Sequence, residues 1–190
     1  MSKLSKFFVF FGVFLVVLSL CLTITSVVLT KTSQAKAEKI IAQVEELFET
    51  KVEGVNDDYS SMEMPALEIE NQDVVGVVEI PRFDLKLPVC NDFGFLKVQS
   101  FPRVMLGSVY DNSLVVIASD KKSQFSCVNS LEIGEKVNVV DMTGAEFSYE
   151  INDIFRSKSA TNSLTTESDF TLVIKQEHSF EYVIVCCTKI

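Results

Sequence analysis

The sequence predicts a mainly β fold, a barrel or a sandwich with short helices, preceded by one long apolar helix at the N-terminus. From Ala66 onward, short stretches rich in β-branched and aromatic residues follow one another, with turn residues between them. Ahead of them, residues 7–29, which begin with Phe7 and end with Leu29, contain no charged side chain. Many short strands with little helix are typical of β-barrels and β-sandwiches.

The apolar run is long enough to cross a membrane. At about 1.5 Å per residue, a helix over residues 7–29 spans a hydrocarbon core of roughly 30 Å. No A-x-A cleavage pattern follows it, so we expect an uncleaved anchor rather than a signal peptide. Lys3 and Lys6 favour an inside N-terminus, although three lysines just after the run weaken that orientation. The sequence therefore predicts a cytoplasmic tip and transmembrane anchor over residues 1–30. The lipid bilayer is then a partner, and the rest of this single-pass protein lies outside the cell membrane.

A helical stalk and a linker are predicted over residues 31–65. Within residues 34–51, apolar side chains recur at helical spacing and form one stripe, with Lys and Glu on the other face. The polar residues 55–65 are typical of a linker. The stripe could pair with another helix or pack on the domain that follows, and the sequence does not decide between them. Its members are Ile40, Ile41, Val44, Leu47 and Phe48.

Two strands separated by a break open the C-terminal domain, residues 66–190. Residues 74–80 are rich in β-branched side chains, and Pro81 removes a ladder donor, so the first strand should end near Ile80. Beyond it, Phe83, Leu85 and Leu87 alternate with polar residues and proline, as in a strand with one apolar face. This pair needs further strands to cover its apolar face.

The rest of the domain supplies those strands. We predict a tight hairpin turn at residues 142–145 and short helices within residues 93–103 and 125–131. Residues 156–169 form a polar loop of a length that often belongs to binding sites. The predicted strands cover residues 113–118, 136–141, 146–154, 170–175 and 181–188.

Charge and cysteine content exclude several classes of function. The formal charge of −9 repels phosphate backbones, which argues against nucleic-acid binding. The five cysteines form no CxxC pair and the chain has one histidine, so we expect no zinc site and no cofactor. Cys186 and Cys187 are adjacent and would point to opposite faces of a strand. We therefore interpret the cysteines as small buried side chains.

The order of short motifs across residues 73–187 resembles the sortase family, most of all its class D and E types. The resemblance lies in five motifs that follow one another at the family's spacing. They are Gly76 to Pro81 with Leu85 to Val89, Asn112 to Ala118, Phe125 with Leu131 to Val137, Phe170 to Ile174, and Glu181 to Val185. The resemblance implies a closed or nearly closed β-barrel and a Gram-positive cell envelope.

Sortases are cysteine transpeptidases, and the resemblance implies where their catalytic groups would stand. A thiolate attacks the peptide carbonyl, a histidine handles the leaving-group proton and an arginine stabilises the oxyanion. At the matching positions this sequence has Asp120 for the histidine, Lys175 for the cysteine and Glu181 for the arginine. All three groups are replaced, so no catalytic residue is expected. A cluster is predicted instead, with Lys175 between the two carboxylates at one end of the barrel.

The sequence therefore favours a catalytically inactive, sortase-like protein displayed outside the membrane. Such a protein would bind extended peptides or other envelope proteins, or would scaffold true sortases and their substrates. Two alternatives stay open. One is an active transpeptidase with an unrecognised nucleophile, which would be one of the cysteines with His178, or Lys175. The other is a purely structural envelope domain whose groove is closed.

Overall fold

The computed structural model of the chain describes residues 3–50, 63–91, 101–120, 125–161 and 167–190. Within these ranges one long helix precedes nine strands, and 3-10 helices cover Pro81–Phe83 and Ser126–Ser130. The long elements are α1 (Lys3–Thr50), β1 (Leu67–Ile69), β2 (Gln72–Ile80), β3 (Leu85–Cys90), β4 (Arg103–Leu106), β5 (Leu114–Ser119), β6 (Lys136–Asp141), β7 (Glu146–Ser157), β8 (Phe170–Lys175) and β9 (Tyr182–Lys189).

The strands form one sheet that closes on itself. The order is β1-β2-β3-β4-β5-β8-β9-β7-β6, and β6 pairs back onto β2, so β2 to β9 make a closed barrel of eight strands. β1 is an additional strand on the edge of β2. Most neighbours are antiparallel, whereas β5 and β8 run parallel over their whole length. The predicted mainly β barrel is confirmed.

Gly76 allows the barrel to close. It pairs with Asp141 where β2 meets β6, next to a register shift in β2. A Cβ atom at this position would lie 2.5 Å from the carbonyl oxygen of Val140. That distance is far inside van der Waals contact, so glycine fits this crossing because it has no side chain.

The barrel interior is filled by side chains that alternate along each strand. On β2, Val75 and Val78 point inward, and across the barrel the rings of Tyr149 and Phe170 lie 5.2 Å apart. On the other face of β2, Val74 and Val77 are buried as well. Burial on both faces explains why β2 is a continuous run of β-branched residues rather than an alternating one.

α1 covers the outer face of β2. Ile40 and Val44 are buried against Val74 and Val77, and Phe48 packs at the edge of the same cluster. Fully burying one Ile or Val side chain contributes about 1.5–3 kcal/mol, so this contact is substantial. The apolar stripe of the stalk therefore packs on the domain, which the sequence had left open.

Ion pairs flank that contact on both sides of the helix. The Lys39 amine lies 2.5 Å from Glu70 in the β1–β2 turn, and Lys86 on β3 lies 3.0 Å from Glu45. Hydrogen bonds from the Lys86 amine to Glu45 and Glu79 raise the pKa of Lys86. Except for Glu79, which is 22% exposed, these side chains are more than a third exposed, so their contribution is small beside the apolar packing.

Several local predictions can be compared with the elements. The hairpin at residues 142–145 is confirmed, and the Asp141 carboxylate accepts the backbone N–H of Thr143 at 2.8 Å and of Ala145 at 3.0 Å inside it. The short helix predicted within residues 125–131 is present as Ser126–Ser130. β1 and β4 were not predicted, because each is only three or four residues long. Most of the predicted helix over 93–103 and of the linker lies outside the described residues.

The helix α1 continues without interruption from the apolar N-terminal segment into the part packed on the barrel. Among the residues that the structure describes, no helix has a stretch long and apolar enough to cross a membrane.

Candidate functional site

The structure brings the backbones of the three replaced positions together at one end of the barrel. Ser119 at the end of β5 pairs with Lys175 at the end of β8, and Lys175 in turn pairs with Tyr182 at the start of β9. The N–H of Asp120 donates to the carbonyl of Lys175 at 3.1 Å, and the N–H of Gln176 donates to the carbonyl of Glu181 at 2.8 Å. Asp120 thus follows β5, Lys175 ends β8 and Glu181 precedes β9, and β8 lies between the other two strands.

The predicted arrangement of Lys175 between two carboxylates is not formed as ion pairs. None of the five ion pairs found in the described part of the chain joins Lys175 to Asp120 or Glu181. The Asp120 carboxylate instead accepts the backbone N–H of Glu177 at 3.0 Å. Strand alternation explains this result. Lys175 falls on the outer side of β8, whereas Asp120 and Glu181 each lie two residues from side chains that face the interior.

A network of polar side chains closes the same end of the barrel. Gln176, which is buried, follows Lys175, and its amide nitrogen donates to the Asn129 oxygen at 3.1 Å. The Arg156 guanidinium on β7 donates to Gln176 at 3.4 Å and to Asn129 at 3.2 Å. The Ser179 hydroxyl donates to Gln176 at 3.1 Å. The network joins β7, the β8–β9 turn and the Ser126–Ser130 helix.

Sequence reasoning did not assign Arg156, Asn129 and Gln176 to this end of the barrel. They lie on three segments that are far apart in the chain, and polar residues in loops and at strand ends carry no periodic signal. One hint was available, because Arg156 interrupts the apolar end of a strand in an acidic protein. The structure therefore places a guanidinium against Gln176, the residue after Lys175, and it comes from β7 rather than from the start of β9.

The outer face of β5, β8 and β9 below Lys175 is apolar and buried. It carries Ile117, Val173 and Ile184, each at most 1% exposed. Ala160, from the segment after β7, packs against these side chains. Ser157 orients this segment, since its hydroxyl donates to the carbonyl of Ser159 at 2.9 Å. The predicted polar loop over residues 156–169 therefore begins as a cover on this face, although residues 162–166 lie outside the described ranges.

The cysteines lie on different parts of the barrel. Cys187 packs in the interior and Cys186 on the outer face, as strand alternation predicted, and Cys90 is buried under α1. Cys127, on the Ser126–Ser130 helix, is half-buried. Burial raises the pKa of the Cys127 thiol and, more strongly, that of the Cys187 thiol. A raised pKa leaves less of the thiolate that a nucleophile or a metal ligand requires.

His178 is exposed in the turn between β8 and β9. The Asn129–Gln176 hydrogen bond joins this turn to the helix that carries Cys127, so the two residues stand on neighbouring elements. Within the described ranges, no three His, Cys, Asp or Glu side chains converge in a way that could hold a metal ion.

A cleft of about 320 Å³ opens at the other end of the barrel. Its lining is more polar than apolar, and it includes Glu63, Asn91 and Asp111 beside Met64, Val75 and Val104. The carboxylate of Asp111 accepts the backbone N–H groups of Ser108 and Ser113, which fixes the β4–β5 turn.

Comparisons with known proteins find similarity in structure. No protein-family model matches the chain, and a search of curated proteins gives no match. Solved sortase structures do match. The Clostridium perfringens sortase D5 transpeptidase superposes with a TM-score of 0.58 at 17% identity, covering 84% of this chain and 99% of that one. Sortase C1 from Streptococcus agalactiae gives 0.56 at 20% identity over 80% and 89%. Sortase A from Corynebacterium diphtheriae gives 0.55 at 12% identity over 80% and 83%.

At these identities the similarity establishes the fold. The chain is a closed β-barrel of the sortase type, as its motifs had suggested, and structures of classes A, C and D all resemble it. The function of this barrel must therefore be inferred from the residues at the end of β5, at the end of β8 and just before β9.

Proposed function

We propose that the chain is a membrane-anchored, extracytoplasmic, sortase-like protein that does not catalyse transpeptidation. It acts by binding or scaffolding at the envelope of a Gram-positive cell. Its short barrel and motif spacing are nearest to the class D and E types of the family. The proposal rests first on the chemistry available where β5, β8 and β9 meet.

Lys175 at the end of β8 is the observation that carries the inactive assignment. It is exposed, and an amine stands here where the resemblance places the nucleophilic thiol of a sortase. Asp120 accepts the backbone N–H of Glu177, and its carboxyl group stands where the resemblance places the imidazole that protonates the leaving group. The site therefore lacks both the nucleophile and the acid that peptide cleavage requires.

The membrane anchor is supported by the side chains that α1 exposes. Phe10, Val16 and Leu22 are each more than 60% exposed on a helix segment that lacks charge. An apolar surface of this size on a helix is normally buried, and a lipid bilayer would bury it on every side of the helix. Lys3 and Lys6 before the segment would keep the N-terminus in the cytoplasm and place the barrel outside.

The bound partner would be an extended peptide or another envelope protein, including true sortases and their substrates. The sortase-like fold supports this choice, because the segment that begins after β7 borders the outer face of β5 and β8 through Ala160. The packing of Ala160 on that face supports the competing view of a structural domain with a closed groove. The two views differ in whether a sorting-signal peptide binds to the purified protein.

The test of catalytic silence is a peptide cleavage assay. The full chain, purified in detergent micelles, should neither cleave nor transfer a fluorogenic sorting-signal peptide, and iodoacetamide treatment should change nothing. An active sortase assayed in the same micelles is the positive control. Turnover above the rate without enzyme, lost after alkylation, would contradict the proposal.

A second candidate function, an active enzyme with a relocated thiol, is favoured by the proximity of the elements that carry Cys127 and His178. The raised pKa of Cys127 argues against it. The matched variants Cys127→Ser and Cys186→Ser decide the matter. If Cys127→Ser alone abolished a measurable turnover, this second candidate would replace the first.

A further inference from the structure

The apolar outer face of β5, β8 and β9 is covered in part by a segment of the chain itself. Ile117, Val173 and Ile184 are buried on this face, and Ala160 packs in the same apolar cluster. In the described part of the chain, Ala160 is the one member of this cluster that belongs to no strand. We name residues 157–161 the cover segment, since they lie over part of this face.

The side chain that the cover segment adds to the apolar cluster is small. Lys158 and Thr161 are exposed to solvent, whereas Ala160 is buried. An alanine side chain covers the area of a single methyl group, and hydrophobic stabilisation grows with the apolar area that is buried. At the border of the face, Met105 and Phe155 are only partly buried. A peptide with a larger apolar side chain would therefore bury more of this face than Ala160 does.

Hydrogen bonds give the cover segment a shape of its own. The Ser157 hydroxyl donates to the carbonyl of Ser159 at 2.9 Å and accepts the N–H of Ser159 at 3.1 Å. The Ser159 hydroxyl in turn accepts the N–H of Thr161 at 3.3 Å. These bonds are internal to the cover segment, so they are kept when the segment leaves the face as a unit.

The cover segment begins at the end of the barrel where Lys175 lies. Ser157, its first residue, pairs with Tyr182, and Tyr182 pairs with Lys175. Val173 lies two residues before Lys175 on the same side of β8, and it belongs to the cluster that contains Ala160. A peptide lying along this face toward Lys175 would therefore compete with Ala160 for the same apolar surface.

We propose that the cover segment is an autoinhibitory contact, which a peptide displaces when it binds to the outer face of β5, β8 and β9. The occupant in the free protein is the chain's own cover segment. The competing occupant is an extended peptide with a bulky apolar side chain. The inference rests on the proposed function, because it concerns access to the face where a peptide would bind. It requires that the face opens while the barrel remains folded.

Cys186 and Cys187 provide an internal comparison for such an opening. Cys186 is buried in the cluster that contains Ala160, whereas Cys187 is buried in the barrel interior. The two residues are adjacent on β9, so unfolding of the strand exposes both thiols to a reagent. Displacement of the cover segment exposes the Cys186 thiol alone, because local opening does not require the barrel to unfold.

The experiment measures how fast a methanethiosulfonate reagent labels each of the two thiols in the full chain in detergent micelles, with mass spectrometry to locate the label. Ala160→Asp places a charge on the apolar face. Ser157→Ala removes the hydroxyl that shapes the cover segment. Ala66→Asp, the same change at an exposed position just before β1, is the matched control.

Both variants of the cover segment should release Cys186. Its labelling should be at least about tenfold faster than in the wild type for Ala160→Asp, and about threefold to tenfold faster for Ser157→Ala. The labelling rate of Cys187, the melting temperature and the rates in the Ala66→Asp control should not change. Rates that rise together for both thiols, or a Cys186 rate that stays at the wild-type value in both variants, would overturn the proposal.

A sorting-signal peptide separates this inference from the proposed function. The peptide should slow the labelling of Cys186 and should reach half of its effect at a lower concentration in Ser157→Ala than in the wild type, because the competing contact is weakened. Equal half-effect concentrations in the two proteins would overturn the autoinhibitory role. If the variants release Cys186 and the peptide protects it in neither protein, the cover segment is still a displaceable contact and the proposed peptide binding fails.

Discussion

Lys175 shows how a single position changes the chemistry available to a fold. In the sortase-like barrel, Lys175 is the last residue of β8. At this point the neighbouring strand β5 ends and the other neighbour, β9, begins. The backbone brings Asp120 and Glu181 close to it, but strand alternation directs its side chain to the other face. Proximity in the backbone alone therefore does not produce ion pairs among these three side chains in the described part of the chain.

This geometry predicts independent charges. Lys175→Met and the double variant Asp120→Asn, Glu181→Gln should each change the free energy of unfolding by less than about 1 kcal/mol. Combined, they should add to within about 0.3–0.5 kcal/mol, because groups that do not touch are not coupled. Urea denaturation of the three proteins measures this, with Lys136→Met as a control for loss of an exposed lysine. A coupling above about 1 kcal/mol would show that the three charges interact after all.

Cys127 provides a prediction that depends on pH. Burial raises the pKa of its thiol, so the folded protein holds this proton at a pH where an unfolded chain would begin to lose it. The resulting stabilisation is present below the ordinary thiol pKa of about 8.5 and is lost as the pH rises through the higher folded value. Alkylation of Cys127 at pH 8 should therefore be slower than that of a cysteine in a short peptide.

The measurement is the iodoacetamide rate between pH 7 and pH 10, in a Cys21→Ser background that removes the exposed thiol of α1. The rate should rise most steeply above pH 9. Rapid labelling already at pH 7 would indicate an activated thiol and would strengthen the case for a relocated nucleophile.

The contact between α1 and the barrel is the main finding at the level of elements. The stripe at residues 40–48 could be read from the sequence, because helical periodicity is a local property. Its partner could not be read, because the outer face of β2 becomes available only when the sheet has formed. The same limit applies to the site. The strand ends follow from local pattern, whereas the network of Arg156, Asn129 and Gln176 joins segments that no local pattern connects.

Truncating the helix contact should destabilise the protein. Ile40→Ala removes a fully buried side chain from the apolar cluster between α1 and β2. It should lower the free energy of unfolding by about 2–5 kcal/mol if helix and barrel unfold together. Leu47→Ala is the matched control, since Leu47 lies on the same helix but is 40% exposed, and it should cost less than about 1 kcal/mol. Chemical denaturation of the full chain in micelles measures both. Equal effects would mean that α1 does not depend on the barrel face for its position.

At the scale of the whole molecule, the same helix joins the apolar segment to the barrel. Between Leu29 and Ala37, which is buried in the cluster between α1 and β2, a continuous helix advances only about 12 Å. If residues 7–29 span the bilayer, the barrel is held close to the membrane surface and cannot swing freely. A partner would then have to approach it along that surface, as a polypeptide that is itself anchored or emerging from the membrane would do.

The last prediction therefore concerns topology. Protease added to intact cells from which the wall has been removed should digest the barrel and leave a membrane-embedded fragment that contains residues 7–29. This is expected because Lys3 and Lys6 before the apolar run favour an inside N-terminus, and large downstream domains are often translocated regardless of the lysines that follow such a run. A cytoplasmic marker protein must survive the treatment, and detergent lysis must expose it. Epitope tags at the two termini report the result, and N-terminal sequencing of the untreated protein should find Met1 or Ser2. A barrel that stays protected until lysis would mean that the barrel lies inside the cell. A mature N-terminus near residue 30 would mean that the apolar segment is cleaved, and either result would rule out the anchored topology.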